Sequence, residues 1–147
     1  MAAATTSPRF DEVGVGAELP ALEVPLTRTL IVATAIASRD YQDVHHDPDL
    51  AVQRGSKDIF MNILTTNGFV GRFVTDWAGP DAVLKKVAIR LGAPNYPGDT
   101  MRLTGSVTST DQSGGTVTIA VRGANSLGDH VTGTVVVALP RRAEAKA

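Results

Sequence analysis

The sequence predicts a single α+β domain in which a curved antiparallel sheet wraps around a long central helix. Three observations support this prediction. In the first half of the chain, hydrophobic residues recur every three or four positions, which is typical of helices. After Gly79-Pro80 they recur at every second position, which is typical of strands. The joints between the later strands are rich in Gly, Asn and Asp, so the last three strands are expected to form an antiparallel meander.

The first half of the domain is expected to contain a short strand and two helices. The strand is placed over residues 22–26, and the first helix over residues 28–39, where Ala and aliphatic residues share one face. A polar loop follows, in which Pro48 and Gly55 interrupt regular structure. The long central helix is expected over residues 59–77, because this segment has the longest pattern of hydrophobic spacings of three and four.

The ends of the central helix are marked by polar and helix-breaking residues. Ser56 or Asp58 is expected to cap its N-terminus by accepting a hydrogen bond from a backbone N–H of the first turn. Gly79-Pro80 ends the pattern. The helix is therefore expected to be buried against the sheet.

Four strands are expected after the central helix. Alternating hydrophobic residues place them over residues 87–91, 101–107, 117–121 and 131–139. Such a sheet has an exposed edge and an incompletely covered face, and domains of this kind commonly pair through their edge strands. We therefore expect at least a dimer.

The composition excludes several functional classes. The chain has 147 residues, of which 43% are hydrophobic and 20% charged, and this length is close to the commonest domain size. Fourteen Lys and Arg against fifteen Asp and Glu give a net charge of -1, so neither nucleic acid nor a membrane surface is expected as a partner. The absence of Cys excludes disulfides, thiolate metal sites and a cysteine nucleophile.

Both ends of the chain lack hydrophobic periodicity. Residues 1–10 and 141–147 are therefore expected to be flexible tails, and residues 11–140 to form the domain. The N-terminus lacks the charged start and apolar run of a secretory signal. No stretch reaches the roughly 18–20 apolar residues of a membrane span. We therefore expect a cytoplasmic protein.

The loop between the two helices carries the candidate chemistry. Asp40 follows the first helix, and His45 comes five residues later across a tight turn. A carboxylate and an imidazole at this spacing can converge on one water molecule. The carboxylate can take a proton from that water, while the imidazole, with an ordinary pKa of about 6.5, orients the water or passes the proton on. The pair therefore suits hydration.

Other interpretations of the same loop are open. Polar residues beside a helix end are often caps, turn formers or solvated charges, and Asp47-Pro48 is typical of a turn. His46 has no evident catalytic role, and Asp43 is expected to be solvated. A metal site built from Asp40, His45, His46 and Asp47 is conceivable, because these ligand types suit zinc or iron. Adjacent histidines rarely reach one ion, however, so no metal is expected.

Two motifs resemble those of a known family. The segment S-R-D-Y-Q-D-V-H-H-D, residues 38–47, resembles the hydratase signature of the MaoC-like hot-dog family. It departs from that pattern at Arg39, where Gly is usual, and at Gln42-Asp43, where Asn-Pro is usual, but it keeps the spacing of Asp to His. The segment A-P-N-Y-P-G-D-T, residues 93–100, resembles the turn that leads into the next long strand of the family.

The resemblance covers residues 13–139 and implies a single hot-dog fold. Four sequence segments are similar to the small subunit of actinobacterial steroid side-chain enoyl-CoA hydratases: R-D-Y-Q-D-V-H-H-D, G-S-K-D-I-F-M-N-I-L-T, T-D-W-A-G-P and N-S-L-G-D-H-V. Such a resemblance implies hydration of a 2-enoyl-CoA thioester to the 3-hydroxyacyl-CoA, with no cofactor. It also implies a second MaoC-like hot-dog subunit as partner.

The resemblance assigns roles to four residues. Asp40 and His45 would be the catalytic pair that activates water. The backbone N–H of Ile59, at the expected start of the central helix, would bind the thioester oxygen, since a helix N-terminus favours developing negative charge. Asn67 lies roughly where hydratases carry a pocket-lining Ser, although it could equally be bonded within the helix packing. His130, before the last strand, is expected to be structural or exposed.

Three functional hypotheses remain. The favoured one is the catalytic subunit of a heteromeric hydratase, because a bulky ring system needs more room than one hot-dog unit usually encloses. The others are a homodimeric (R)-specific enoyl-CoA hydratase of general fatty acyl-CoA metabolism, and a non-catalytic structural or acyl-binding module. A hot-dog thioesterase also uses a carboxylate to activate water, but the position of Asp40 and His45 before the long helix favours the hydratase.

Overall fold

The structure is a computed structural model that describes residues 4–141. It contains three α-helices: α1 at Arg28–Ala37, α2 at Pro48–Gln53 and α3 at Ile63–Ala78. The five strands are β1 at Leu22–Pro25, β2 at Val83–Leu91, β3 at Thr100–Asp111, β4 at Thr116–Asn125 and β5 at Gly128–Ala138. Two 3-10 turns lie at Phe10–Glu12 and Asp43–His45. In the part of the chain that is described, no helix is both long and apolar enough to cross a membrane.

The five strands form one antiparallel sheet in the order β1-β3-β4-β5-β2. β3, β4 and β5 are consecutive neighbours, which confirms the predicted meander. β2 does not pair with β3, its successor in the chain, but with β5, where Val87 faces Val135. The edges of the sheet are therefore the short strand β1 and the longer strand β2.

The sheet wraps around α3, and the core lies between them. Val70, Phe73 and Val74 on α3 are fully buried against inward side chains from the sheet. Gly105 in β3 lies where the sheet passes closest to α3, because a Cβ at this position would stand 3.0 Å from Cε1 of Phe73 and 2.8 Å from the carbonyl oxygen of Ala120. The predicted architecture of an α+β hot-dog domain is confirmed.

The central helix begins at Ile63, four residues later than the hydrophobic spacing indicates. The preceding segment, residues 59–62, is not helical, and its backbone N–H groups bond to other loops: Phe60 to the carbonyl of Val44 at 3.2 Å and Met61 to that of Asn95 at 3.1 Å. The N-cap is Asn62 rather than Ser56 or Asp58, since its side chain accepts from the N–H of Thr65. Hydrophobic spacing alone does not distinguish a buried extended segment from a helical turn.

The polar loop contains a helix that the sequence did not predict. Asp47 caps α2 by accepting hydrogen bonds from the N–H groups of Asp49 and Leu50. Pro48 is the first helical residue, where a missing N–H costs nothing because no intrahelical acceptor exists there. Pro48 therefore starts this helix rather than interrupting regular structure.

The described part of the N-terminal segment contacts the domain. The N–H of Ala4 donates to the carbonyl of Asp76 at 2.7 Å, and that of Phe10 to the carbonyl of Pro140 at 2.9 Å. Phe10 is buried in the core. The expected flexible tails were residues 1–10 and 141–147. Of these, residues 1–3 and 142–147 lie outside the described residues.

Candidate active site

One cleft of about 330 Å³ brings the candidate residues of the loop together with the start of α3. Asp40 and His45 line it from the loop side, and Ile63, the first residue of α3, lines it from the helix side. The other lining residues are 91–94, which begin with the last residue of β2, together with His130 near the start of β5. The cleft therefore joins a carboxylate, an imidazole and a helix N-terminus.

Asp40 is positioned by the way in which α1 ends. Arg39 has the left-handed backbone angle φ of 58°. Its N–H bonds to the carbonyl of Ile36, and the N–H of Asp40 bonds to the carbonyl of Ala35 at 2.9 Å. This pair of bonds is a Schellman motif, which commonly ends a helix with a left-handed residue. The backbone of Asp40 is thus attached directly to the helix, and α1 ends at Ala37 rather than at the predicted residue 39.

His45 is held in one orientation by a backbone carbonyl. Its Nδ1 lies 2.7 Å from the carbonyl oxygen of Phe60. Because a carbonyl only accepts, Nδ1 carries the proton, and in a neutral ring the lone pair is then on Nε2. That Nε2 lies 3.4 Å from Oδ2 of Asp40. The His45 and Phe60 rings also meet edge to face, with centroids 5.0 Å apart.

The distance between Asp40 and His45 has a chemical consequence. At 3.4 Å the two atoms are too far apart for a good direct hydrogen bond. The carboxylate oxygen and the Nε2 lone pair are both acceptors, and both residues line the cleft. A water molecule that donates one hydrogen to each would fit this arrangement.

Asn62 is a site residue that the sequence reasoning missed. Its Nδ2 donates to Oδ2 of Asp40 at 3.1 Å and to Oγ of Ser38 at 2.9 Å. Its Oδ1 accepts from the N–H of Thr65 at 3.0 Å, and the whole residue is only 1% exposed. One side chain thus caps α3 and holds the carboxylate of Asp40. Asn is a favoured N-cap residue, but the hydrophobic pattern that begins at residue 59 placed Asn62 inside the predicted helix and hid this signal.

Replacing Asn62 should weaken both the fold and the site. We expect Asn62→Ala to cost about 1 kcal/mol of stability through the lost cap. It should also lower kcat about 10-fold or more, because a carboxylate displaced by a fraction of an ångström no longer aligns its water. Urea unfolding and steady-state kinetics measure the two effects separately. Asn67→Ala, on the exposed face of the same helix, is the comparison, and equal kinetic losses in both variants would contradict the role of Asn62.

Two of the residues assigned through the resemblance lie away from the cleft. Ile59 is buried, and its N–H donates to Oδ1 of Asp58 at 2.8 Å. It precedes α3 by four residues and does not line the cleft, a place that Ile63 takes instead. Asn67 lies on the exposed surface of α3 and also does not line the cleft. The expectation for Ile59 assumed a helix that begins at residue 59, and the later start of α3 moves the helix N-terminus to Ile63.

The other polar residues of the loop have structural partners. Asp43 is partly exposed, and Arg54 donates to its Oδ2 at 2.6 Å; this hydrogen bond holds the pKa of Asp43 below its ordinary value. Asp47 caps α2 rather than forming the turn expected of Asp47-Pro48, and His46 is exposed. Within residues 4–141, no three His, Asp or Glu side chains are grouped as a metal site would require.

The second motif forms a turn that supports the far end of the cleft wall. Gly98 has a φ of 88°, and its N–H bonds to the carbonyl of Leu26 at 2.7 Å. Asp99 accepts from Oγ of Ser126 at 2.6 Å and from the N–H of Thr100 at 2.7 Å. These bonds, the one from Ser126 first, lower the pKa of Asp99. The turn therefore ties β3 to both β1 and the turn between β4 and β5.

Comparison with known proteins identifies relatives over most of the chain. The family model described as "MaoC like domain" matches residues 13–127. The chain is 54% identical over 125 residues to the 3-oxo-4,17-pregnadiene-20-carboxyl-CoA hydratase beta subunit of Mycobacterium tuberculosis, a match that covers 85% of this chain and 95% of that protein.

Solved structures give the same result. A chain of the ChsH1-ChsH2 complex from Mycobacterium tuberculosis superposes with a TM-score of 0.83 at 54% identity, over 86% of this chain and 98% of that one. The (R)-hydratase from A. caviae involved in PHA biosynthesis superposes with a TM-score of 0.77 at 23% identity, over 87% of this chain and 98% of that one. The second match shows the shared fold alone.

Proposed function

The chain belongs to the MaoC-like domain family, and from this premise we propose that it adds water to a 2-enoyl-CoA thioester to give the 3-hydroxyacyl-CoA. The observation that carries the proposal is the convergence of Oδ2 of Asp40 and Nε2 of His45, 3.4 Å apart, on the wall of a cleft that also receives the start of α3. This is the arrangement that activation of one water molecule requires.

Asp40 and His45 act together on the attacking water. The water donates one hydrogen to Oδ2 of Asp40 and the other to Nε2 of His45, so its lone pair is directed at the β-carbon of the substrate. As the new C–O bond forms, the water loses one proton to this pair, and the π electrons of the double bond move toward the thioester oxygen. The pair then returns the proton to the α-carbon, and the thioester carbonyl is restored.

The N-terminus of α3 stabilises the enolate. We assign the thioester oxygen to the backbone N–H of Ile63, the first residue of α3 and a lining residue of the cleft. This N–H donates to none of the described residues 4–141, as expected for the first turn of a helix. Such a donor, aided by the helix dipole, favours the negative charge that develops on the oxygen. Ile63 thus replaces Ile59 in the role that the resemblance implied.

The proposed substrate class is a steroid side-chain enoyl-CoA. The support is the relative whose name specifies a pregnadiene-carboxyl-CoA hydratase, which shares 54% of the aligned residues over nearly its whole length. The family match alone runs from residue 13 to residue 127, and this range includes every lining residue of the cleft except His130. The acyl group is therefore expected to be bulky rather than a short straight chain.

A second MaoC-like subunit is the proposed partner. The relative is named as a beta subunit, and the structural match is to a chain of a two-component complex. In this chain, Val83 and Leu84 at the start of edge strand β2 are exposed, as are Ile63 and Leu64 at the start of α3. An exposed strand edge and apolar side chains beside the cleft suit a partner that would enlarge the acyl-binding space.

We also propose that the reaction is cytoplasmic and needs no cofactor. Hydration transfers only the atoms of water to the double bond, so it requires neither a redox group nor an electron carrier. A chain without Cys gains no stabilisation from the oxidising conditions outside the cytoplasm.

The proposal is tested with the tagged chain purified from its native host together with whatever subunit accompanies it. Hydration is followed as the loss of ultraviolet absorbance of the conjugated enoyl thioester, with one short-chain and one steroid side-chain substrate. We expect turnover of the steroid substrate and a second hot-dog chain in the purified sample. Turnover of the short chain by this polypeptide alone would instead indicate a homodimeric hydratase of general acyl-CoA metabolism.

A matched pair of histidine variants provides the control. His45→Gln should lower kcat by about 100-fold or more, since the loss of a general acid–base group costs this much. His46→Gln changes the exposed neighbouring residue and should leave kcat unchanged.

Release of free CoA from an acyl-CoA would indicate a thioesterase. Full activity in both variants would point to a non-catalytic module.

A further inference from the structure

His130 is a buried titratable residue that the proposed hydration does not use. It lies near the start of β5, is only 2% exposed, and lines the same cleft as Asp40 and His45. Its ring is fully engaged: Nδ1 lies 2.6 Å from the carbonyl oxygen of Ala93, and Nε2 lies 2.8 Å from Oγ1 of Thr66.

These two contacts define the tautomer of the ring. The carbonyl of Ala93 only accepts, so Nδ1 carries the proton. In a neutral ring, Nε2 is then an acceptor, and the hydroxyl of Thr66 donates to it. Burial lowers the pKa of His130, against a smaller opposing effect of its bond to Ala93, and this favours the neutral ring. With both nitrogens occupied, the ring has none left with which to move a proton.

The ring connects two parts of the cleft that belong to different segments of the chain. Thr66 is in the first turn of α3, three residues after Ile63, whereas Ala93 belongs to the wall at residues 91–94. The backbone of that wall is also bonded to β5, since Gly92 donates to the carbonyl of His130 at 2.7 Å and Ala93 to that of Asp129 at 2.8 Å. The wall at residues 91–94 is thus bonded to β5 through its backbone, and His130 attaches it to α3 as well.

We propose that His130 is a positioning residue for the hydration, which sets the separation between the start of α3 and the wall at residues 91–94. This inference rests on the proposed function. A thioester held by the N–H of Ile63 lies between these two walls, so their separation determines where its β-carbon stands relative to the water on Asp40 and His45. A small displacement of a bound substrate from its reactive position can cost about 100-fold in rate.

The test uses variants that remove one contact at a time from the purified chain with its accompanying subunit. Thr66→Val keeps the shape of the side chain and removes the donor to Nε2, together with a longer contact of the same hydroxyl, 3.4 Å from the carbonyl oxygen of Asn62. His130→Asn keeps a donor, Nδ2, at the position of Nδ1, and His130→Ala removes both contacts. We expect kcat to fall about 10-fold in Thr66→Val and in His130→Asn, and about 100-fold in His130→Ala, with KM little changed. Thr75→Val, at an exposed position of the same helix, should behave as the wild type.

The outcomes distinguish a residue that positions the substrate from one that only stabilises the fold. Wild-type kcat and KM in Thr66→Val and His130→Asn, with lower melting temperatures, would overturn the proposal, and these milder variants keep the test valid where His130→Ala fails to fold. The nitrogen-15 spectrum of the imidazole gives a reading that does not depend on activity. A neutral Nδ1–H tautomer that is perturbed in Thr66→Val supports the bridge, and an Nε2–H tautomer, which turns an acceptor toward the carbonyl of Ala93, contradicts it. Absence of hydration in the wild type would instead count against the proposed function.

Discussion

Asp40→Asn is expected to lower kcat for hydration by at least about 100-fold while the fold is retained. The amide has the shape of the carboxylate and can still accept the hydrogen bond that Asn62 donates at 3.1 Å. It cannot take a proton from water, and its NH₂ group would face Nε2 of His45 if the amide turned over. Steady-state kinetics on the steroid enoyl thioester and circular dichroism on the same sample measure both parts of the prediction.

The control for this variant is Asp49→Asn, which makes the same chemical change at an exposed position of α2. Asp49 is in the same region of the chain but does not line the cleft. It should keep wild-type kcat. If Asp40→Asn were equally active, Asp40 would be a structural turn residue, and the assignment of the water-activating pair would be wrong.

Phe73→Ala is expected to produce the largest loss of stability. Phe73 is fully buried in the middle of α3, at the point where the absence of a Cβ on Gly105 lets the sheet approach its ring. Truncation of a buried Phe to Ala typically costs about 3–5 kcal/mol, because the surrounding residues collapse only partly into the cavity. Urea unfolding at one protein concentration measures the change, since association with a partner makes apparent stability depend on concentration.

Phe69→Ala is the matched control for this prediction. Phe69 lies on the same helix but is only partly buried, beside an open groove between α1 and α3. Its truncation should cost clearly less than that of Phe73. The reverse order would mean that the wrapped face of α3 is not the centre of the core.

The architecture was predictable because its signals are local. Alternation of hydrophobic residues marks the strands after Gly79-Pro80, and the turn residues between them indicate the meander that β3, β4 and β5 form. The spacing of Asp40 and His45 also indicated their convergence, because few residues separate them. A short separation leaves few alternative conformations, so sequence spacing carries geometric information there.

The features that the sequence did not predict depend on distant contacts. The tautomer of His45 is determined by Phe60, fifteen residues away, and the bond between His130 and Thr66 spans 64 residues. The start of α3 depends on the backbone of residues 60 and 61, whose N–H groups bond to Val44 and Asn95. A periodic pattern contains no information about such bonds, and the start of the central helix was for this reason predicted four residues too early.

The helix end at Arg39 and the ring contact of His45 fix Asp40 and His45 from outside the turn that connects them. Asp40 is fixed by the carbonyl of Ala35 and His45 by the carbonyl of Phe60, and neither anchor lies in the connecting turn. Gln42-Asp43, where Asn-Pro is usual, lies between these two anchors and supplies neither of them. For enzyme engineering, substitutions in this turn should spare Asp43, which binds Arg54, and a change that disrupts the left-handed residue before Asp40 would shift the Asp40 carboxylate itself.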